Sequence, residues 1–219
     1  MEKRPPNETL PERTPSGNGV TVPDQHWNDL ETKDPETICM RALAKNHPPK
    51  GFLLPFLKED ILVDKQKRCL FRKTPNGQIP VKSPLLELTS LIYLLGADPE
   101  PLGNRIVSVK ELKSAHFFRG PHELRIRSVL DRYGNDVEGF KRAAEQLGGE
   151  ALDMGDAAYR FWAFPKAPLC YLLWKGDEEF PPDLSVLFDR SIESHLAPDA
   201  IWGLVDLVSD ILLRPDKWI

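Results

Sequence analysis

A short segment near the middle of the chain combines two kinds of group that bind anions. Residues 117–122 have the sequence FFRGPH. Glycine followed by proline is typical of a sharp turn into a helix, and the free N–H groups at a helix start attract anions. Arg119 precedes this turn and Arg125 follows it, and each guanidinium can hold a carboxylate or phosphate through paired hydrogen bonds. The segment predicts an anion site whose ligand-binding residues are Arg119, Gly120, His122 and Arg125. The alternative is an ordinary helix start with a histidine bonded to backbone and solvated arginines.

An aromatic β-hairpin later in the chain is expected to form the opposite wall of this site. Ala157–Phe164 and Leu169–Trp174 are rich in aromatic residues, and the short PKAP sequence at 165–168 joins them. Such a pattern is typical of two antiparallel strands with a tight turn. Arg160 and Trp162 are two positions apart, so they share one face of their strand. We predict both as ligand-binding residues, in a polar cleft or under a helix.

The chain that follows the hairpin is strongly acidic. Residues 177–199 carry seven acidic side chains and one basic one, whereas residues 105–132 carry seven basic and three acidic ones. A hydrophobic residue inside a charged rim is typical of a protein-docking surface. We predict a partner-docking loop for a basic partner such as a redox protein, formed by Asp177, Glu178, Glu179 and Phe180. The alternative is a solvated turn that keeps a sheet edge soluble.

Carboxylates and histidines also permit an enzyme. Asp156, Glu178 or Glu179 can act as an acid or base if a histidine such as His122 or His195 shares their cleft. The sequence contains no GxSxG motif, and Gly148-Gly149 ends a predicted helix where a phosphate-binding loop would begin one. We therefore favour a binding module over an enzyme.

The cysteines and histidines argue against a metal site. The chain has no CxxC, HxxxH or HExxH spacing, so we expect no intrinsic metal. Three scattered cysteines, Cys39, Cys69 and Cys170, cannot hold a four-thiolate iron–sulfur cluster and indicate a reducing compartment. Cys170 lies in an apolar strand and is expected to be an inert core residue.

Composition limits the class of protein. Of 219 residues, 41% are hydrophobic and 28% are charged, which is typical of one globular domain with a real core. The net charge of −4 argues against nucleic-acid binding, which requires a strongly basic face. No apolar run is long enough for a membrane span, and the first residues lack a secretory signal. We expect a soluble cytoplasmic protein.

The elements that would position these residues follow from apolar patterns and turn signals. Residues 1–23 are rich in proline and are predicted to be a disordered tail, whereas 24–219 form a single α+β domain. Short strands between residues 52 and 71 predict a meander, and Ser83-Pro84 opens a buried helix. The fold class is α+β, a mainly antiparallel sheet of N-terminal meander and C-terminal aromatic hairpin packed against about six helices.

Two local predictions bear on the expected site. A helix is predicted to begin at Gly120-Pro121 and to run to Tyr133, because its apolar residues recur at helical spacing. Phe161 and Trp174 are predicted to be core residues of the hairpin. Ser108 and Glu111 form a capping-box pattern at the start of a further short helix.

The order of several motifs resembles an uncharacterised prokaryotic family, a domain of unknown function common in anaerobes. The resemblance covers about residues 25–213 and its most specific part is the run GDEEFP at 176–181. Its other motifs are DPE at 34–36, LPFL at 54–57, the helix at 85–96, FRGP at 118–121, LGGE at 147–150 and GDAA at 155–158. Some relatives carry an added iron–sulfur segment. This chain lacks those cysteines, so a cluster would have to come from a partner.

These observations lead to one main hypothesis. The chain is expected to be a binding module that holds an anionic small molecule or cofactor, with an accessory role in anaerobic redox or one-carbon metabolism. The alternatives are the carboxylate–histidine enzyme and the interaction protein that docks a basic redox partner. The sequence identifies neither a particular cofactor nor an oligomeric state.

Overall fold

The computed structural model describes residues 19–74 and 77–218. Its helices are α1 (Asp24–Thr32), α2 (Pro35–Ala42), α3 (Pro84–Gly96), α4 (Arg127–Tyr133), α5 (Val137–Gln146), α6 (Ile192–His195), α7 (Pro198–Leu213) and α8 (Pro215–Trp218). Its strands are β1 (Lys45–His47), β2 (Gly51–Phe56), β3 (Glu59–Asp64), β4 (Cys69–Thr74), β5 (Gly77–Val81), β6 (Ile106–Ser108), β7 (Glu150–Leu152), β8 (Ala157–Phe164), β9 (Ala167–Trp174) and β10 (Asp183–Asp189). Single 3-10 turns span Val109–Glu111 and Gly120–His122.

The strands form two antiparallel sheets. The first is a meander in the order β1-β2-β3-β4-β5, and the second has the order β6-β10-β9-β8-β7. Every neighbouring pair in both sheets is antiparallel. The α+β prediction with a mainly antiparallel sheet is therefore confirmed, including the N-terminal meander and the aromatic hairpin β8–β9.

The second sheet packs one apolar face against the helices. Phe161 and Tyr171 are fully buried on this face, with their rings 5.5 Å apart at the centroids in an edge-to-face arrangement. The Tyr171 hydroxyl donates to the Val205 carbonyl of α7 at 3.1 Å. Helix α7 is buried along almost its whole length, so it is the central helix of the fold.

The hairpin turn joins the two sheets to α3. The backbone N–H of Leu57, just after β2, donates to the Trp162 carbonyl of β8 at 2.9 Å. The buried Tyr93 of α3 accepts the Lys166 N–H at 3.0 Å and donates to the Ala42 carbonyl at 3.1 Å. Lys166 is buried, with 4% of its surface exposed, and its ammonium donates to the Asp98 carbonyl at 2.7 Å. These bonds fix the position of β8 and β9 inside the molecule.

Local capping signals in the sequence produce the expected helix starts. The Asp34 carboxylate accepts the Thr37 N–H at 2.9 Å at the start of α2. The Ser83 hydroxyl accepts the Leu86 N–H at 3.3 Å at the start of α3. Both contacts satisfy N–H groups that a helix start leaves without an intrahelical partner. No helix in the described part of the chain has both the length and the apolar character needed to cross a bilayer.

The predicted tail at residues 1–23 falls mainly outside the described residues. Of its described part, Val20 and Val22 pack against the core and are partly buried. The prediction of a disordered tail otherwise concerns residues 1–18, which lie outside the described part of the chain.

The predicted helix from Gly120 to Tyr133 is wrong in its first half. Gly120–His122 is a single 3-10 turn, Glu123 then has extended ψ, and α4 begins only at Arg127. The indole N–H of Trp202 donates to the Glu123 carbonyl at 3.1 Å. A tertiary partner therefore takes the carbonyl at the point where the predicted helix would have continued.

The core assignment of Trp174 is also wrong, whereas that of Phe161 is confirmed. Trp174 is 50% exposed and Phe161 is 0% exposed. Side chains alternate between the faces of a strand, so the buried Leu173 places Trp174 on the opposite face at the end of β9.

This difference generates a stability prediction. Phe161→Ala should lower the free energy of unfolding by about 3–5 kcal/mol, because a fully buried ring leaves a cavity. Trp174→Ala should cost about 1 kcal/mol or less, because half of its side chain is already in water. Urea unfolding of the two variants beside the wild type measures both values. Equal losses would contradict the placement of these residues.

Candidate functional site

The main candidate site is a groove between β10 and the segment that connects β6 to α4. We call residues 109–126 the arch. A cavity of about 610 Å³ lies between the arch and β10. The arch and the end of β6 contribute Ser108, Val109, Lys110, Ala115, Phe118, Arg119, Glu123, Leu124 and Ile126, and β10 contributes Leu184, Ser185, Val186 and Leu187.

The groove follows the edge of β10 and not one of its faces. The residues at 184–187 are consecutive, and all of them line the cavity. Successive side chains of a strand point to opposite faces, so a cavity that contacts four in a row must lie along the strand edge. Strand β6 pairs with β10 only at 187–189. In the described part of the chain, no strand covers this edge over residues 183–186.

The direction of the backbone N–H and C=O groups along this edge follows from a hydrogen bond beside it. The N–H of Arg190 donates to the Arg105 carbonyl at 2.9 Å, on the β6 side of β10. Backbone groups of alternate residues point to the same edge of a strand. Val186 and Leu184 therefore direct their N–H and C=O groups towards the groove, whereas Ser185 and Leu187 direct theirs towards β9.

The arch leaves the sheet because a capping contact follows β6. The Glu111 carboxylate accepts the Ser108 N–H at 2.9 Å and the Ser108 hydroxyl at 3.1 Å. These hydrogen bonds to Ser108 hold the pKa of Glu111 below its ordinary value. They close the 3-10 turn Val109–Glu111, and β6 ends after three residues.

A partly buried carboxylate holds the middle of the arch in place. Glu193 of α6 accepts the N–H groups of Lys113 and Ser114, each at 2.8 Å, and the Ser114 hydroxyl at 2.6 Å. Burial raises the pKa of Glu193, but the hydrogen bonds from Ser114 and Lys113 outweigh it and lower the pKa overall. This contact fixes the arch to the helical layer and away from β10.

The far end of the arch is attached to α7. Trp202 donates its indole N–H to Glu123, as described above, and the Arg125 guanidinium lies 4.5 Å from the Trp202 ring centroid. Arg125 also forms an ion pair with Asp206 at 3.6 Å. The predicted ligand residue Arg125 therefore serves the attachment of the arch, and it does not line the groove.

Two cations face the groove without a counter-ion. Lys110 and Arg119 are exposed and line the cavity, and neither forms an ion pair with any residue that the structure describes. Glu123 also lines the cavity, and its carboxylate partly offsets their charge. Phe118, Leu124 and Ile126 give the arch side an apolar wall. Among the predicted ligand residues, Arg119 is thus the one that lines this groove.

Gly120 and His122 contribute to the shape of the arch. Gly120 has φ +58°, a left-handed conformation that other residues adopt only with strain, so it allows the reversal after Arg119. His122 is exposed, and its ring stacks on Phe117 at 4.3 Å between centroids. Neither residue lines the groove.

Arg160 and Trp162 lie in a different cavity of about 240 Å³, on the face of the second sheet that is turned away from the helices. Glu150 engages both residues: it accepts the Trp162 indole N–H at 2.9 Å and lies 3.7 Å from the Arg160 guanidinium. The cavity is lined by Leu102, Asn104, Ile106, Arg160, Trp162, Pro168, Cys170 and Asp189. None of these residues lines the groove, so the structure divides the predicted combined site between two cavities.

The polar groups of this smaller cavity are already engaged by the protein. Asp189 accepts the N–H groups of Gly103 and Ser191, each at 2.9 Å. Burial raises its pKa, but these and neighbouring hydrogen bonds lower the pKa overall. Burial raises the pKa of the Cys170 thiol, and the Arg160 guanidinium opposes this only in part. Cys170 is thus the buried core residue that the sequence predicted.

The acidic loop is an ordered turn with an exposed ring. The Asp177 carboxylate accepts the N–H groups of Glu179 at 2.8 Å and Phe180 at 2.7 Å, which lowers its pKa. The Phe180 side chain is 66% exposed and Glu178 is exposed beside it. The turn therefore presents an aromatic ring inside an acidic rim.

The predicted carboxylate–histidine pairs do not form among the described residues. The Asp156 carboxylate accepts the Lys175 N–H at 2.9 Å. His195 is buried, and its Nδ1 accepts the Asp98 N–H at 3.3 Å. Burial is the largest cause of its lowered pKa, and the nearby Lys166 adds to it. Within the described ranges, no group of three or more His, Cys, Asp or Glu side chains is placed to hold a metal ion.

The Glu193 anchor generates a prediction with a definite pH dependence. Glu193→Gln should lower the free energy of unfolding at neutral pH by about 1–3 kcal/mol, because a charged acceptor of three hydrogen bonds is replaced. The folded-state pKa lies below the ordinary value of 4.5, so this stabilisation is present above 4.5 and is lost as the pH falls through the folded-state pKa. Urea unfolding at neutral and acidic pH measures the difference.

The exposed Glu178→Gln is the matched control, since it should change stability at neither pH. A loss for Glu193→Gln that stays the same down to the lowest pH at which the protein folds would show that the charge of Glu193 is not what holds the arch.

Comparison with known proteins shows the family. No curated protein and no solved structure matches the chain. A family model described as Domain of unknown function (DUF3786) matches residues 34–210. The matched range begins at the cap of α2 and ends inside α7, so it includes the arch, the groove and the acidic loop. The chain therefore belongs to the DUF3786 family of domains of unknown function.

Proposed function

We propose that this chain is a cytoplasmic binding module that holds an anionic ligand in the groove between the arch and β10. The observation that carries the proposal is the pair of exposed cations, Lys110 and Arg119, which line one cavity without a counter-ion among the described residues. Every other arginine of the predicted site, Arg125 and Arg160, has an acidic partner within 4 Å.

The shape and chemistry of the groove support this proposal. Its volume of about 610 Å³ lies within the range of ordinary ligand sites. A guanidinium binds carboxylates and phosphates with defined geometry, and an ammonium adds charge without a fixed direction. The apolar wall of Phe118, Leu124 and Ile126 excludes water from one side, which strengthens the interaction between the ligand charge and Arg119.

A binding role is better supported than the enzyme alternative. Acid–base catalysis needs a titratable pair within hydrogen-bond reach of a substrate. No hydrogen bond or ion pair among the described residues joins Asp156, Glu178 or Glu179 to a histidine. The proposed setting is accessory, in anaerobic redox or one-carbon metabolism, and the motif resemblance given above is its support.

The proposal predicts a loss of anion binding when Arg119 is removed. In a titration of isotope-labelled protein with inorganic pyrophosphate and with succinate, NMR shifts should concentrate on residues 184–187 and on the arch. Arg119→Ala should weaken the apparent affinity about tenfold or more, because one charge-assisted hydrogen bond contributes about 1.5–3 kcal/mol. Lys110→Ala should have a smaller effect.

Arg127→Ala is the matched control, because this arginine is exposed and pairs with Asp131 outside the groove. Arg160→Ala separates the two cavities and should also leave the affinity unchanged. Shifts centred on Arg160 and Trp162, or an affinity that ignores Arg119→Ala, would contradict the proposal.

A second candidate function has its own observation. We propose that the acidic loop of Asp177, Glu178, Glu179 and Phe180 docks a basic protein, such as a redox partner. The Phe180 side chain is 66% exposed although the Asp177 hydrogen bonds order its backbone. An ordered, exposed ring within a charged rim loses little conformational entropy on binding and can act as an anchor.

Binding to a basic redox protein such as cytochrome c tests this second function. Its affinity should fall as salt rises, and reversal of the charges at Glu178 and Glu179 to lysine should abolish binding, because long-range attraction is screened by ions. Phe180→Ala should weaken it about tenfold or more. Glu100→Lys is the control, because it reverses the charge of an exposed acidic residue outside the acidic loop and should leave the affinity unchanged. Binding that survives the charge reversal would exclude the electrostatic docking.

A further inference from the structure

The open part of β10 has the length of a short peptide. Strand β6 covers only residues 187–189 of β10, so residues 183–186 have no strand neighbour on that side in the described part of the chain. Antiparallel strands rise about 3.4 Å per residue, so the open stretch of four residues is about 14 Å long. An extended segment of about four residues matches this length.

The backbone donors and acceptors along the edge of β10 also favour an extended peptide as the ligand. Leu184 and Val186 each direct one N–H and one C=O towards the groove, by the alternation that begins at Arg190. These donors and acceptors alternate at the spacing of a β-strand. A compact anion can accept from the donors but leaves the carbonyls without a partner. An extended peptide satisfies both, as in other proteins that add a strand to a sheet edge.

The side chains of the groove add a requirement for charge. A strand beside β10 would place alternate side chains towards the arch, where Phe118, Leu124 and Ile126 form an apolar wall. Lys110 and Arg119 lie on the same side of the groove, and no acidic residue of the described ranges forms an ion pair with either. The complementary peptide therefore combines an apolar residue with an acidic one.

The arch does not itself close this edge. Sheet edges are commonly protected by a loop that packs against them. Here the arch is attached elsewhere, at Glu111, at Glu193 and at Trp202, and a volume of about 610 Å³ separates it from β10. The cavity between the arch and β10 is thus maintained by contacts that lie outside the groove.

We propose that the groove binds an extended peptide segment of a partner protein, which adds a strand to the open edge of β10 and places an acidic side chain on Arg119 and Lys110. This inference rests on the proposed anion-binding function, because it names the ligand class of the same groove. The shared requirement is the Arg119 charge, and the additional requirement is the backbone edge of β10.

A random heptapeptide library displayed on phage and selected against the full chain supplies the probe. Selected peptides should share an acidic residue beside an apolar or β-branched one. In calorimetric titrations, Arg119→Ala should weaken the consensus peptide about tenfold or more, with Arg127→Ala as the matched control. A library that yields no binder competing at the groove, or binders without an acidic residue, would overturn the inference.

Backbone methylation tests the strand geometry on the unmodified protein. N-methylation at every second residue of the consensus peptide should weaken binding about tenfold or more, because it removes the N–H groups that face β10. Methylation of the intervening residues should have little effect. Equal effects at all positions would show that the peptide does not add a strand.

A β10 variant separates this inference from the proposed function. Val186→Pro removes an N–H that faces the groove and is not part of the ladder with β9, so that ladder should persist. Because the substitution also removes a buried side chain, a melting curve must first show that the variant is folded. The variant should lose the consensus peptide and keep pyrophosphate. One outcome is that wild-type protein binds pyrophosphate through Arg119 while N-methylation at alternate peptide residues has no distinct effect. In that case the peptide inference fails and the proposed anion-binding function stands. If neither probe depends on Arg119, the proposed function fails as well.

Discussion

Strand β6 stops at Ser108 because the Glu111 carboxylate takes both the N–H and the hydroxyl of that residue and closes a turn. Had the chain continued extended for a few more residues, it would have covered β10 to its start, and β10 would have had no open edge. The groove and the groove-facing backbone groups of Leu184 and Val186 depend on this early end of one strand. So do the positions of Lys110 and Arg119, which form no ion pair with another described residue. The local hydrogen bonds between Ser108 and Glu111 thus determine that a groove forms beside β10.

The groove also requires that the surrounding structure is rigid. The hairpin β8–β9 is fixed at its turn by Tyr93 and Lys166, and in its middle by the bond from Tyr171 to α7. Strand β10 pairs with β9 along most of its length, so its position follows from the hairpin. The arch is fixed independently, by Glu193 and Trp202, to α6 and α7. Because both walls are attached to the same helical layer, these tertiary contacts set the distance between the walls and therefore the width of the groove.

Sequence patterns predicted the local part of this structure. The caps of α2 and α3 involve residues three positions apart, and the hairpin and meander join neighbouring strands, so periodicity and turn signals were sufficient. Arg119 was predicted as a ligand residue and lines the groove. The helix at Gly120, in contrast, was wrong because Trp202, which takes the Glu123 carbonyl, is distant in sequence. The same holds for Arg125 and Arg160, whose partners Asp206 and Glu150 no local pattern reveals. The open edge of β10 and the contribution of Lys110 were missed, although the capping pattern at Ser108 was visible.

Amide hydrogen exchange along β10 tests the central claim of an accessible strand edge most directly. In the free protein, the N–H groups of Leu184 and Val186 should exchange much faster than those of Ser185 and Leu187, because only the latter are paired with β9. A peptide that occupies the groove should slow the exchange of Leu184 and Val186 and leave that of Ser185 and Leu187 unchanged. Slow exchange of Leu184 and Val186 in the free protein, equal to that of their neighbours, would show that the edge is already covered and would contradict the account.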